Sequence, residues 1–347
     1  MSRTMKAAVF TEKEKVVVQE VPIPVPGPGE ILVRQYACAL CTMEQRVFKG
    51  ILDLPYPSSW GHEVSGVVAE IGPDTQTLLK PGDHVVLGAP IFCGECHYCI
   101  KGLEGKCLQK FSLPVRDGIL GFFGMAEYSV NDSNRVFKVS ADVPFEEAAF
   151  AEPIACTIQS AQKLNIQQGD TVVVIGAGTM GLLNVFISKL QGAKVIVSEV
   201  SAARRNKALE LGAFATIDPM DKTPVGEQIM QLNDGRKAEA VIVAIGNDAA
   251  NKDAMEMVGD HGMVMLFASA HPGTPLSIDP NLIHKRSICI TGVTGKNQAD
   301  LYQAAALLSS KAIQTASLVE ARYPLEKVQE AMEFASNNET YRVILTM

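Results

Sequence analysis

Short Val/Ile-rich runs separated by glycine and proline fill the first part of this chain. In the second part, apolar stretches of helical length alternate with similar runs. Residues 5 to 9 and 15 to 20 read as short strands. The segment "VPIPVPGPGE" (21–30), with four prolines and two glycines, can sustain neither a helix nor a central strand and is expected to be an ordered loop or an edge. "EILVRQYACAL" (30–40), "GHEVSGVVAEIG" (61–72) and "GDHVVLGAP" (82–90) carry the pattern of an all-β portion. From about residue 145 the rhythm changes. Helical stretches now alternate with "TVVVIG" (171–176), "AKVIVSE" (193–199), "AEAVIVAIG" (238–246) and "GMVMLFAS" (262–269), the βαβ order of a parallel sheet. After "SICITGVTG" (287–295) come one clear helix, "ADLYQAAALLSS", and a strand-like end, "YRVILTM". That is too little for a separate core, so the tail is expected to return to the β-rich first domain.

Composition narrows the function classes more than it narrows the fold. At 347 residues the chain exceeds what one hydrophobic core usually serves, so two domains are expected, in the α/β class with a doubly wound parallel sheet in the second. A net charge of -7, without any run of lysine or arginine, argues against a nucleic-acid or anionic-membrane surface. The opening "MSRTMKAAVFTEKEKVVV" has no apolar core of signal-peptide length, and the longest apolar stretch, around 171 to 187, is broken by glycines. A cytoplasmic protein is therefore expected. In a reducing compartment, eight cysteines bind metal or do chemistry more often than they pair.

Four of those cysteines stand together in "CGECHYCIKGLEGKC": Cys93, Cys96, Cys99 and Cys107. Four thiolates in one short loop suit closed tetrahedral zinc, which leaves no position open for substrate, so this site should be structural. A second signal is Gly176-Ala177-Gly178-Thr179-Met180-Gly181, between the strand "TVVVI" and the apolar helix "TMGLLNVFISKL". In that setting the glycines let a pyrophosphate approach the helix N-terminus, and Glu199, at the end of the next strand, stands where a carboxylate accepts from an adenosine ribose. A carboxylate there favours NAD over NADP; Arg204, a candidate coenzyme contact, and Arg205 pull the other way or simply start a solvated helix.

The third constellation is Cys41 in "ALCTMEQR", Gly61-His62-Glu63, and Glu152-Pro153. One thiolate, one imidazole and two carboxylates could give three protein ligands and an open position, the composition of a catalytic zinc site. Taken singly, Cys41 reads as a buried thiol and His62 as a surface or capping residue. Their weight comes from the other two motifs.

In this order, "ALCTMEQR", "GHEVSGVVAEIG", the four-cysteine lobe, "AEPIACTIQSA" and "GDTVVVIGAGTMG" resemble the zinc-containing medium-chain dehydrogenase/reductase family over essentially the whole chain. The nearest branch is similar to the sorbitol, threonine and polyol dehydrogenases, which share the "EP" segment. The resemblance implies a GroES-like β-rich catalytic domain over 1–153 and 292–347 and a Rossmann NAD-binding domain over 154–291. It makes Cys41, His62 and Glu152 the candidate ligands of a catalytic zinc, with Glu63 as an alternate and Glu44 in the place of an aspartate that orients the histidine. It further implies two zinc ions per chain, NAD, a small-molecule substrate, and a homodimer or homotetramer. The expected reaction is hydride transfer to NAD from a secondary hydroxyl of a small polyol or sugar alcohol. A threonine-type amino-alcohol dehydrogenase is the alternative within enzymes, and a catalytically silent NAD-binding relative the alternative outside them. Met43 departs from the family, which carries Ser or Thr two residues after the zinc cysteine, and a thioether cannot relay a proton.

Overall fold

The computed structural model describes residues 3–88, 92–109, 113–270, 273, 276–337 and 340–347. The chain forms two compact units, one of residues 1–155 with 296–347 and one of residues 156–295. The helix Ala151–Leu164 carries the chain across the first division.

In the first unit the organising element is the strand Glu30–Ala39, whose nearly continuous apolar sequence is buried along most of its length. It pairs antiparallel with Glu63–Ile71, Tyr128–Asp132 and the final strand Arg342–Thr346. The tail therefore returns to the β-rich unit, with Leu345 opposite Cys38. Phe10, Ile31, Leu40, Phe48, Trp60, Met125, Val343 and Leu345 meet in one core. At about 1.5–3 kcal/mol for each fully buried large apolar side chain, this cluster is what makes the tail strand stay. A second helix, Val328–Ala335, lies in the tail beyond the single one expected there. It buries Val328, Ala331, Met332 and Ala335, the i, i+3, i+4, i+7 stripe of an amphipathic helix, but it is only eight residues long, too short for its period to stand out in sequence. The proline-rich segment is strand only to Pro22 and loop thereafter.

The second unit is a six-stranded sheet, all parallel, in the spatial order Ala215–Ile217, Lys194–Ser198, Thr171–Ile175, Ala238–Val243, Val258–Leu266, Cys289–Gly292. Its central strand, Thr171–Ile175, is buried at every position, as a strand covered on both faces must be. The fifth strand begins at Val258, earlier than the apolar run at 262 suggested, because buried Val258 pairs with Ala238 before the register shifts and pairing resumes at Met263, and the residues between, with Asp260 and His261 exposed, carry no hydrophobic signal. Among the described residues no helix is long and apolar enough to cross a membrane.

Candidate metal centres and coenzyme loop

Strand register builds the first centre. Ala39 lies opposite Glu63, so the residues just past the end of one strand and just before the start of the other, Cys41 and His62, become neighbours. Cys41 caps the helix Thr42–Phe48 from extended backbone, and Glu44, in the first turn, accepts from the Cys41 N–H through Oε2 at 3.0 Å. The other oxygen of Glu44 accepts from the Gly61 N–H at 3.2 Å and meets His62 Nδ1 at 2.6 Å. One fully buried carboxylate thus ties together the two segments that carry Cys41 and His62. With Nδ1 engaged, Nε2 is the ring nitrogen left for a metal, the arrangement that fixes a ligating histidine. Gly61 is required here: its φ is +98°, and a Cβ would stand 2.7 Å from the backbone of Gly124 and Met125.

Glu63 is buried, with Oε1 2.7 Å from Arg342 Nη2. Its Oε2 is buried and has no hydrogen-bond partner among the described residues. The ligand atoms of Cys41, His62 and Glu63 lie within 4.8 Å of one another. Burial pushes the Cys41 thiol up, but the hydrogen bond and charge of His62, with Arg342 behind, bring it down to about 7. Burial would depress His62; the Glu44 carboxylate and the Cys41 sulfur outweigh it and hold the imidazole well above its ordinary range. A sulfur that ionises readily, a tautomer-fixed imidazole and a buried oxygen with an unmet acceptor form a donor set that fits zinc.

Glu152 sits in the first turn of Ala151–Leu164, and its carboxylate is ion-paired with Lys296, both side chains buried. It lies outside the Cys41–His62–Glu63 group. Burial works to raise its pKa, but Lys296, His62 and Arg342 together hold it below the usual carboxylate range, so it stands within their electrostatic reach. Lys296 and Arg342 were not legible as site residues. A lysine after a glycine carries no periodic signal; Arg342, a charge inside the apolar run "YRVILTM", was the one visible clue. Trp60, Phe48 and Phe123 are core side chains, 2%, 4% and 1% exposed.

In the lobe, Cys96 caps the short helix His97–Ile100, and Glu104–Lys106 forms a 3-10 turn before Cys107. The sulfurs of Cys96 and Cys99 are 3.5 Å apart, those of Cys93 and Cys107 3.6 Å, and those of Cys93 and Cys99 4.0 Å. Tetrahedral zinc with bonds of about 2.3 Å requires sulfurs roughly 3.8 Å apart, and a disulfide requires about 2.05 Å. Backbone N–H groups of Leu108 and Cys99 bring Cys96 down to about 6, whereas burial and its sulfur neighbours push Cys99 up to about 12. Four sulfurs this close cannot all be thiolates without a cation among them, and the spacing fits zinc.

The glycine loop closes onto the sheet of the second unit. Gly176 has φ +99°, and a Cβ on Gly181 would fall 1.9 Å from the Gly176 carbonyl oxygen. Gly178 has ordinary dihedrals, and a Cβ there would meet nothing within 4 Å. The protein itself therefore does not need glycine at 178, and the open space beside it, at the N-terminus of Thr179–Leu190, has the form and the backbone N–H groups that would suit a pyrophosphate. Thr179 and Met180 open that helix. Glu199 is 4% exposed; it accepts from Ala177 N–H at 2.8 Å and Ser201 N–H at 2.9 Å, bracing the loop. Arg205 is held by Asp218 at 3.0 Å and by the carbonyls of Glu199 and Val200, while Arg204 lies in the first turn of Ala202–Glu210.

Residues 27–141 match the alcohol dehydrogenase GroES-like domain, and residues 179–310 match the zinc-binding dehydrogenase domain. The chain is 31% identical over 357 residues to an L-threonine 3-dehydrogenase of Pyrococcus furiosus, with all of both chains covered. It is 29% identical over 351 residues to a sorbitol dehydrogenase of Halalkalibacterium halodurans, covering 99% of each. A crystal structure from Sinorhizobium meliloti, described as a zinc-binding dehydrogenase and bound to NADP, superposes with a TM-score of 0.90 at 27% identity over the whole of both chains. With two donor sets that fit zinc, a dinucleotide cradle and likeness along its full length, the chain belongs to the zinc-binding alcohol dehydrogenases with a GroES-like domain, oxidoreductases that work with zinc and a nicotinamide coenzyme.

Proposed function

We propose that this chain oxidises a secondary hydroxyl of a small polyol or sugar alcohol, with NAD as hydride acceptor. The observation that carries the reading is the convergence of Cys41, His62 and Glu63 within 4.8 Å, with Glu44 bonded to the segments on either side. Zinc, when bound, supplies a Lewis acid beside the hydroxyl, and the nicotinamide accepts the hydride. Cys41, His62 and Glu63 hold the metal. Glu44 keeps His62 in one tautomer, and Arg342 restrains Glu63. Met43 packs against the core and has no proton to pass on. Thr42 is exposed, with Oγ1 4.0 Å from Cys41 Sγ, and takes over the outward proton route. The lobe cysteines hold the second ion.

Support for a polyol comes from the sorbitol dehydrogenase relative and the "AEPIACTIQSA" segment. A threonine-type amino alcohol is the second reading, favoured by the threonine 3-dehydrogenase relative matched along its whole length. The carboxylate of Glu199 supports NAD, and the engagement of Arg205 with Asp218 removes one cation from competition for a 2'-phosphate. The NADP-bound relative makes the coenzyme worth measuring directly. The test is a panel of polyols, inositols, threonine and simple alcohols followed by NADH absorbance, with kcat/KM for both coenzymes on each accepted substrate. Polyols with NAD should lead; threonine leading would establish the second reading, and equal use of NADP would show that Arg204 outweighs Glu199.

A further inference from the structure

Gln35 is buried in the strand Glu30–Ala39, 1% exposed, where the pairing with Glu63–Ile71 shifts register between Gln35 and Ala37. Its Nε2 donates to two carbonyl oxygens, that of Phe123 at 2.8 Å and that of Ala126 at 2.6 Å, while its Oε1 meets no partner among the described residues. A buried acceptor left unmet costs stability, so an apolar side chain of similar size would serve packing better. What the amide adds is a hold on two points of backbone. Phe123 needs one: its φ is +56°, in the left-handed region, where a bulky residue stays only when its surroundings hold it there. Phe122 and Phe123 go to different places. The ring of Phe122 stands edge-on to Trp60, centroids 6.0 Å apart, against the main core, while Phe123 fills a second core with Met5, Val9, Val21 and Ile119. This same turn forms a seam with the segment that carries His62. The Phe123 N–H donates to the Ser59 carbonyl at 3.3 Å and the Met125 N–H to the Trp60 carbonyl at 3.0 Å. Between these bonds a Cβ on Gly124 would stand 2.2 Å from the Gly61 carbonyl oxygen, and one on Gly61 would stand 2.7 Å from the backbone of Gly124 and Met125.

We propose that Gln35 is a positioning residue for the Cys41–His62–Glu63 centre: by holding the carbonyls of Phe123 and Ala126 it fixes the seam between Gly124 and Gly61, and through the seam the place of His62. No side chain cushions the contact of the two glycines, so a shift of Phe123–Ala126 passes to Gly61 directly. The Gly61 N–H and His62 Nδ1 share one oxygen of Glu44, at 3.2 Å and 2.6 Å. Without the two donors of Gln35, Phe123 relaxes from its left-handed backbone, Gly124 moves off Gly61, and the bond to Glu44 no longer sets a single position for the imidazole ring.

This inference rests on the reading of Cys41, His62 and Glu63 as a metal centre, and the experiment separates the two. Cobalt(II) replaces the metal in the full chain, and the difference between the visible spectra of wild type and Cys41→Ser isolates the first centre. Gln35→Met, apolar and of similar size, removes both donors: the bands of that centre shift, its affinity in chelator competition falls by about 10-fold, the low end for an outer partner of a metal site, and the lobe ion stays. Gln35→Asn, one methylene shorter, cannot reach both carbonyls; it gives the same shift in smaller measure and is the deciding variant where Gln35→Met does not fold. Val21→Ala loosens the second core without removing a hydrogen bond of the seam, so its melting temperature falls while its bands and affinity stay those of wild type. Unchanged bands in Gln35→Met, or in Gln35→Asn where that variant decides, overturn the proposal while leaving the centre standing, and so does an equal shift in Val21→Ala. Identical spectra for wild type and Cys41→Ser remove both.

Discussion

Glu44 shows how much one side chain can determine. Three of its contacts, with the N–H groups of Cys41 and Gly61 and with His62 Nδ1, come from two separate chain segments. Glu44→Ala should therefore lower metal affinity at the Cys41 centre by about 10- to 100-fold while the lobe ion stays, measured as zinc per chain after dialysis against a graded chelator. Retention of both ions at wild-type affinity would reduce Glu44 to a helix cap. Cys41→Ser should release up to one ion per chain and abolish most turnover. Met43→Ser should keep the metal and preserve or raise the rate, because it returns a hydroxyl to the place where the family carries one. A slower Met43→Ser enzyme would mean that packing of the thioether against the core matters more than the proton route.

Two elements are specified by what they exclude. The glycine loop leaves no room at 181 and no protein neighbour at 178. Gly181→Ala should thus destabilise the second unit by roughly 1–3 kcal/mol through overpacking and abolish coenzyme binding together with it. Gly178→Ala should leave the melting temperature unchanged and weaken NAD binding alone. Calorimetric titration beside a thermal melt separates the two effects, and unaltered NAD affinity in Gly178→Ala would mean that the open space is not where the pyrophosphate lies. In the lobe, Cys96→Ser should remove one ion and lower the melting temperature more than it lowers turnover, since a closed four-thiolate centre offers substrate no vacancy. An unchanged melt with turnover lost would show the lobe to be part of the chemistry.

At the scale of the whole molecule, the last strand holds both a fold and a site together. Val343 and Leu345 fill the core of the first unit, while Arg342, 5% exposed, reaches Glu63 and the Leu40 carbonyl. Leu345→Ala is expected to cost about 2–5 kcal/mol, the usual range for a buried leucine. Arg342→Met should cost about 3–5 kcal/mol by stranding the buried Glu63 carboxylate, and Glu63→Gln added to it should recover most of that loss. Denaturant melts of the single and double variants measure the coupling; additive losses would show that the two groups do not act as a pair.

The four lobe cysteines, the glycine loop and the change from β-rich to βαβ rhythm were determined by sequence alone, because each depends on residues close together in the chain. Their spacing already contains their geometry. Cys41, His62, Glu63 and Glu44 were nameable as candidates, but their company was not: it required Ala39 to lie opposite Glu63, a register set by long-range pairing. The partners of Lys296 and Arg342 were beyond reach, although Arg342 stood out as a charge in an apolar run. Lys296 lies 144 residues from Glu152, and Arg342 lies 279 residues from Glu63. No local propensity records a counter-ion at that distance. Only packing decided that Glu152 faces Lys296 and that Glu63, paired with Arg342 through one oxygen, keeps the other unmet, because the energy of a buried charge depends on what surrounds it in space.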